Sequence, residues 1–214
     1  MKNEIKLVIF DFDGVLADSF NTFYPLIRDA MNYADLSLTP DQYRDLFIGN
    51  VHQGFKDFIN NKKRYLAFSK FRKTNYDKYY YDGNDKVKLF PGTLEFLRKI
   101  GKRYILTVAS SSKKDNIKNL LEKNRVEKLF SIILANTATS KENLINEILA
   151  KFKLKPEKAV MITDTAGDIK VAKKLGLKTI AVTWGFHSAK TLRSEKPDYL
   201  AKSFKILYKN IKAF

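Results

Sequence analysis

From residue 86 onward the chain alternates short apolar runs with amphipathic stretches. The runs at 104–109, 131–135, 159–163 and 179–182, with a separate first run at 6–10, are too continuously apolar for strands with one wet face. Between and after them, helix-period patterns occupy 92–101, 113–123, 140–151, 167–175 and 203–212. Gly101 and Gly176 fall where helix C-termini need them. Ser112 with Asp115, and Thr139 with Glu142, read as capping-box starts. Buried strands alternating with helices predict an α/β fold, a Rossmann-like three-layer α/β/α core around a parallel sheet.

Residues 18–85 break this rhythm. They hold no convincing strand but several helical segments rich in Phe and Tyr, near 20–33, 40–47, 52–61 and 64–80, closed by the turn-forming cluster Asp82-Gly83-Asn84-Asp85. The pattern predicts an α-helical cap inserted after the first strand. The core would comprise 1–17 and 86–214, the cap 18–85, with the chain returning to the sheet near Pro91-Gly92. The aromatic spacing of the insert suits a small core of its own.

Composition adds three limits. The absence of cysteine excludes disulfides and Cys-ligated zinc and fits a reducing compartment. The N-terminal apolar run from Leu7 to Phe10 is ended by Asp11, too soon for a signal peptide or a spanning helix. A soluble, cytoplasmic protein without a membrane partner is therefore expected. The formal net charge of +17 is large. The lysines are spread along the chain, and Lys62-Lys63-Arg64 is the densest short cluster. Spread charge argues for a solvated surface that attracts anionic substrates and against a nucleic-acid stripe.

In an open parallel sheet, ligands bind beyond the carboxyl ends of the strands. The first strand ends in Asp11-Phe12-Asp13-Gly14, the second in Ser110-Ser111-Ser112. The third leads through a short loop to Ser140-Lys141, and the fourth ends in Asp164-Thr165-Ala166-Gly167-Asp168. Each has a plain structural explanation: Asp and Gly favour turns, serine and aspartate cap helices, and a lone lysine is usually at the surface. Four strand ends presenting these groups together point instead to one chemical rim.

The chemistry would be coherent. Asp11 and Asp13 lie two apart, so an extended backbone would send them to opposite faces; a turn after the strand, which Gly14 permits, is required to bring them together. A carboxylate such as Asp11 can attack phosphorus and split one hard step into two. Asp13 can protonate the leaving alkoxide and later deprotonate the attacking water. Mg²⁺, which takes oxygen ligands, would offset the mutual repulsion of Asp11, Asp164 and a phosphate. Ser110, with Ser111 beside it, and Lys141 would hold the phosphoryl oxygens.

Four segments resemble the haloacid dehalogenase-like hydrolases, in their phosphoglycolate phosphatase and β-phosphoglucomutase branch. They are the run from Val8 through Asp11-Phe12-Asp13-Gly14 to Ser19, the run Leu106-Thr107-Val108-Ala109-Ser110, Lys141, and the stretch from Val160 through Asp164 and Asp168 to Trp184-Gly185. The tail Lys196-Pro197-Asp198-Tyr199 resembles that family's last strand. The resemblance implies Asp11 as nucleophile, Asp13 as acid and base, and Ser110 and Lys141 on phosphate. It implies Asp11, the Asp13 carbonyl and Asp164 on the metal, with Asp168 as a ligand or an outer partner. It also implies a mobile cap that closes over the site, with Gly49 and His52 at substrate-specifying positions.

The chain departs from the pattern at Lys141-Glu142, where relatives often carry Lys-Pro, and at Thr163, where many have Gly and the mutase an acid. The second departure favours a phosphatase over a mutase. The mutase's cap arginine is missing near His52. His187 reads as a loop residue. The expected activity is Mg²⁺-dependent hydrolysis of a small phosphorylated metabolite, either a phosphoglycolate-like acid or a sugar phosphate. A sugar-phosphate phosphomutase is the alternative. From another class, the alternative is a nucleic-acid or protein binding module on a hydrolase fold.

Overall fold

A run of four apolar residues cannot keep one face wet, and Leu7–Phe10 is buried on both faces. It forms the strand β1 at the centre of the sheet. The computed structural model describes residues 4–81 and 86–214, so the turn expected at Asp82-Gly83-Asn84-Asp85 lies outside the described residues. In chain order the elements are β1 (Leu7–Phe10), β2 (Ala17–Asp18), α1 (Phe20–Tyr33), α2 (Pro40–Asp45), α3 (Val51–Ile59), α4 (Lys62–Tyr81) and β3 (Lys88–Leu89). They continue with α5 (Thr93–Ile100), β4 (Ile105–Ser110), α6 (Lys114–Lys123), β5 (Phe130–Ala135), α7 (Lys141–Phe152), β6 (Ala159–Thr163), α8 (Ala166–Lys174), β7 (Lys178–Val182), α9 (Ala189–Ser194), β8 (Tyr199–Ala201) and α10 (Phe204–Ile211).

The chain divides into two compact units, Met1–Ala17 with Leu89–Phe214, and Asp18–Lys88. The first is an α/β Rossmann-like domain. Its six-stranded sheet has the order β5-β4-β1-β6-β7-β8, and the pairings recorded between neighbours are all parallel. Alternation along the strands sends residues to two apolar layers. Leu7 and Ile9 of β1 pack with Met161 of β6 and with Leu144, Ile145, Ile148 and Leu149 of α7. Phe10 faces the other layer, edge-on to Phe96 of α5 and Phe130 of β5, and Phe96 lies 5.0 Å from Phe204 of α10. Full burial of one such phenylalanine stabilises the fold by about 1.5–3 kcal/mol. Because β4, β1 and β6 are adjacent and parallel, their carboxyl ends share one edge.

Several local details depart from the sequence expectation. The N-cap of α6 is Lys113, without a side-chain cap bond, so Ser112 is not a capping-box start. The hydroxyl that caps α7 belongs to Ser140, which accepts from the Asn143 amide; Thr139 does not serve. The six-residue helix α9 has too few turns to leave a periodic signal.

The second unit is helical. Asn50 caps α3 by accepting from the amides of His52 and Gln53 at 3.0 and 3.1 Å. Its aromatic residues pack on one another: Phe55 lies 5.0 Å from Phe68 and 6.3 Å from Tyr43, which is 5.8 Å from Phe20. Tyr79 of α4 donates its hydroxyl to Asp29 of α1. Burial, followed by that bond, pushes the Tyr79 phenol up to about 12.

Candidate active site

Asp11 comes immediately after β1, where its amide still donates to Ile162 of β6 at 2.9 Å. The backbone then turns. Leu16 and Ala17 donate back to the Phe12 carbonyl, and Gly14 takes a left-handed φ of 74°. A side chain at Gly14 would be doubly disfavoured, since a Cβ there would lie 1.9 Å from Asp164 Oδ2. Gly14 therefore both turns the chain and lets Asp164 approach it.

Lys141 opens α7, and its ammonium reaches back to the edge of the sheet. It lies 2.8 Å from Asp11 Oδ1 and 3.0 Å from Asp168 Oδ2, and it donates to the Ala109 carbonyl of β4 at 2.9 Å. The lysine side chain is only 9% exposed. Burial alone would lower its pKa, but the carboxylates of Asp11 and Asp168 outweigh this and hold it above the usual lysine range. The Phe12 amide also donates to Asp11 Oδ1, at 2.8 Å. The same Asp168 Oδ2 also accepts from the Thr163 hydroxyl at 3.2 Å.

The other expected residues of the α/β unit follow the end of β4, the strand beside β1. Ser110 ends β4, is buried, and accepts from the Ser112 amide at 3.1 Å. Ser111 is half-buried. Ser112, not singled out for the site by sequence, donates its hydroxyl to Asp13 Oδ2. Gly49 is exposed and His52 half-buried, both within the helical unit. Sequence reasoning also passed over Phe186, whose amide donates to Asp164 Oδ2 at 2.6 Å, and His187, whose imidazole is buried. The two residues follow Trp184-Gly185, which was their only signal.

Asp164 is fully buried. Burial pushes its carboxyl up to about 7, against the opposing pull of the Phe186 amide. Asp11 is also raised well above the ordinary range, first by burial, with Asp168 and Asp164 adding to the effect and Lys141 opposing it. With Asp11, Asp164 and Asp168 all ionised, the cluster would carry two negative charges beyond the one ammonium, so a divalent cation would offset what holds the Asp11 and Asp164 carboxyls high. The fit to a cation is also seen at one atom, because Asp164 Oδ1 is buried without a hydrogen-bond partner. Such an oxygen is costly unless something positive meets it. Among the described residues, no three His, Asp or Glu side chains are arranged to hold a metal by themselves. Mg²⁺ suits such a place, since it commonly takes one or two carboxylates and completes its shell with water and substrate oxygens. Asp11 and Asp164 could hold it.

Fold and site together define an α/β protein with an acidic rim at the carboxyl ends of its central parallel strands. Residues 8–182 match the family described as haloacid dehalogenase-like hydrolase. A phosphoglycolate phosphatase of Synechococcus elongatus is 27% identical over 202 residues, covering 93% of each chain. A pyrophosphatase, PpaX, of Bacillus cereus is 25% identical over 208 residues, covering 92% of this chain and 91% of its own. Among solved structures, a predicted phosphatase from Clostridium acetobutylicum superimposes with a TM-score of 0.84 at 23% identity, covering 99% of this chain and 100% of that one. The chain belongs to the haloacid dehalogenase-like hydrolases, in the phosphoglycolate phosphatase-like branch, and is a phosphatase.

Proposed function

We propose that the chain hydrolyses a small phosphate monoester with Mg²⁺, through a phosphoryl group carried on Asp11. The observation that carries this reading is the ammonium of Lys141 fixed 2.8 Å from Asp11 Oδ1 beside a second buried carboxylate, Asp164. Lys141 and the Phe12 amide both engage Oδ1. They orient the carboxylate and leave Oδ2 as the oxygen assigned to attack phosphorus. Lys141 also balances charge on the phosphoryl oxygens, with Ser110 placed at the neighbouring strand end. Asp168 and the Ala109 carbonyl keep the ammonium from swinging away.

Asp13 protonates the leaving alkoxide and then takes a proton from the water that releases phosphate. Its Ser112 bond sets the orientation of the carboxyl for both transfers. Bound at Asp11 and Asp164, with the Asp13 carbonyl, Mg²⁺ would supply charge neutralisation and a Lewis acid for a phosphoryl oxygen. Asp168 serves in this reading as the outer partner that holds Lys141. Substrate choice falls to the helical unit, where Gly49 and His52 occupy the positions assigned to specificity.

The test is phosphate release from a panel comprising phosphoglycolate, sugar phosphates, pyrophosphate and an aryl phosphate, with Mg²⁺ and with chelator. Release should depend on Mg²⁺ and fall by at least ~10³-fold in Asp11→Asn, because the nucleophile is removed. Equal rates in the two proteins would overturn the reading. An isomerised product with little free phosphate would replace it with a mutase.

A further inference from the structure

Two residues of the loop between β7 and α9 make bonds with the segment that carries Asp164. Phe186 donates its amide to Asp164 Oδ2 at 2.6 Å, and His187 donates its own to the Asp164 carbonyl at 3.3 Å. The imidazole Nδ1 of His187 accepts the Ala166 amide at 2.9 Å. That amide opens α8, where the first donors have no partner within the helix. The Thr165 hydroxyl takes the Asp168 amide, so α8 is capped both from its own N-cap and by an imidazole from a distant loop. His187 is 4% exposed. Gly185, just before, leaves no room for a side chain, since a Cβ would lie 2.3 Å from Asp164 Oδ2.

We propose that His187 is a positioning residue for the metal ligand Asp164. The proposal rests on the reading of Asp164 as a Mg²⁺ ligand. By gripping the Ala166 amide, the ring anchors the loop one residue after Phe186. This anchor holds the Phe186 N–H on Oδ2, and Oδ1 is left as the oxygen that faces the cation. Nδ1 is the acceptor and carries no proton, so the imidazole is the Nε2–H tautomer.

The chemistry predicts which replacements work. Asparagine can present an oxygen near the place of Nδ1; glutamine carries its oxygen one atom further, and leucine has no acceptor. The experiment measures Mg²⁺ affinity of the metal-free full chain by calorimetry, with melting temperature in chelator as the control for folding. His187→Gln and His187→Leu should weaken Mg²⁺ binding by ~10–100-fold, the usual loss on removing an outer partner of a metal ligand. His187→Asn should stay close to wild type. In the metal-free protein, amide exchange at Phe186 should accelerate in His187→Gln and not in His187→Asn. If the leucine variant does not fold, the asparagine and glutamine pair carries the test. Wild-type affinity in His187→Gln, or equal loss in His187→Asn, would overturn the role of His187 alone. Absence of Mg²⁺ binding by the wild type would overturn the metal reading and this inference with it.

Discussion

Lys141 Nζ and Asp11 Oδ1 lie 2.8 Å apart, joining the start of α7 to the end of β1 inside a pair of side chains only 9% and 12% exposed. Removing the lysine would leave Asp11 and Asp168 facing one another without a cation, which raises both the cost of ionising Asp11 and the charge to be borne in the transition state. Lys141→Met should lower kcat by about 10²–10³-fold, the loss typical of one electrostatic stabiliser. Steady-state phosphate release measures it. A loss confined to KM would assign the lysine to ground-state binding.

The raised carboxyl of Asp164 predicts how stability depends on pH. An unfolded aspartate loses its proton near pH ~3.9, whereas the folded group titrates at about 7. Between those values the folded state binds more protons, so stability contributed by this group is full below the lower value and is lost as pH rises through the higher one. The metal-free protein should melt higher at about pH 5 than at about pH 7.5, a slope that Asp164→Asn flattens. Mg²⁺ should raise the melting temperature more at the higher pH, where the carboxylate is ionised. Calorimetry with chelator and with Mg²⁺ reads both effects.

Two glycines make the approach to Asp164 possible. A Cβ at Gly185 would lie 2.3 Å from Asp164 Oδ2 and 2.4 Å from the Gly14 carbonyl, and Gly14 additionally needs its positive φ. Gly14→Ala and Gly185→Ala should each destabilise the protein by about 2–4 kcal/mol, through overpacking and, at Gly14, backbone strain. Both should weaken Mg²⁺ binding. Denaturant unfolding and metal titration check the two consequences separately.

Ser112 steadies the acid and base assigned to Asp13. Ser112→Ala should lower kcat by about 3–10-fold and stability by about 1.5–3 kcal/mol, because one hydrogen bond to a charged group is lost at a partly buried site. The acid limb of the pH–rate profile should move with it, a shift that a purely structural serine would not produce.

The sheet and most of its helices were legible because their signal is local. The apolar run at 159–163 coincides with β6, and the aromatic helix at 20–33 with α1. The strand ends could be read for chemistry because parallel strands put their carboxyl termini on one edge. What escaped were bonds set by tertiary proximity. Ser112 sits within the polar run from Ser110 to Asn116 and reads as a helix cap, yet its partner is Asp13, far along the chain. His187 looked like an ordinary loop residue, since nothing local reveals that its ring meets Ala166. Thr139 and Ser140 offer the same hydroxyl one residue apart, so only the folded chain decides that Ser140 caps α7. Gly14 could be read as a turn, but its close approach to Asp164 could not.

The most direct test of the central claim is to trap the phosphoryl group during turnover. The protein would be quenched in acid while hydrolysing its best substrate with Mg²⁺, digested, and examined by mass spectrometry. The account predicts one phosphoryl adduct on the peptide containing Asp11, removed by hydroxylamine and absent from Asp11→Asn. Mg²⁺-dependent phosphate release by Asp11→Asn at the wild-type rate, or an adduct on a different residue, would contradict it.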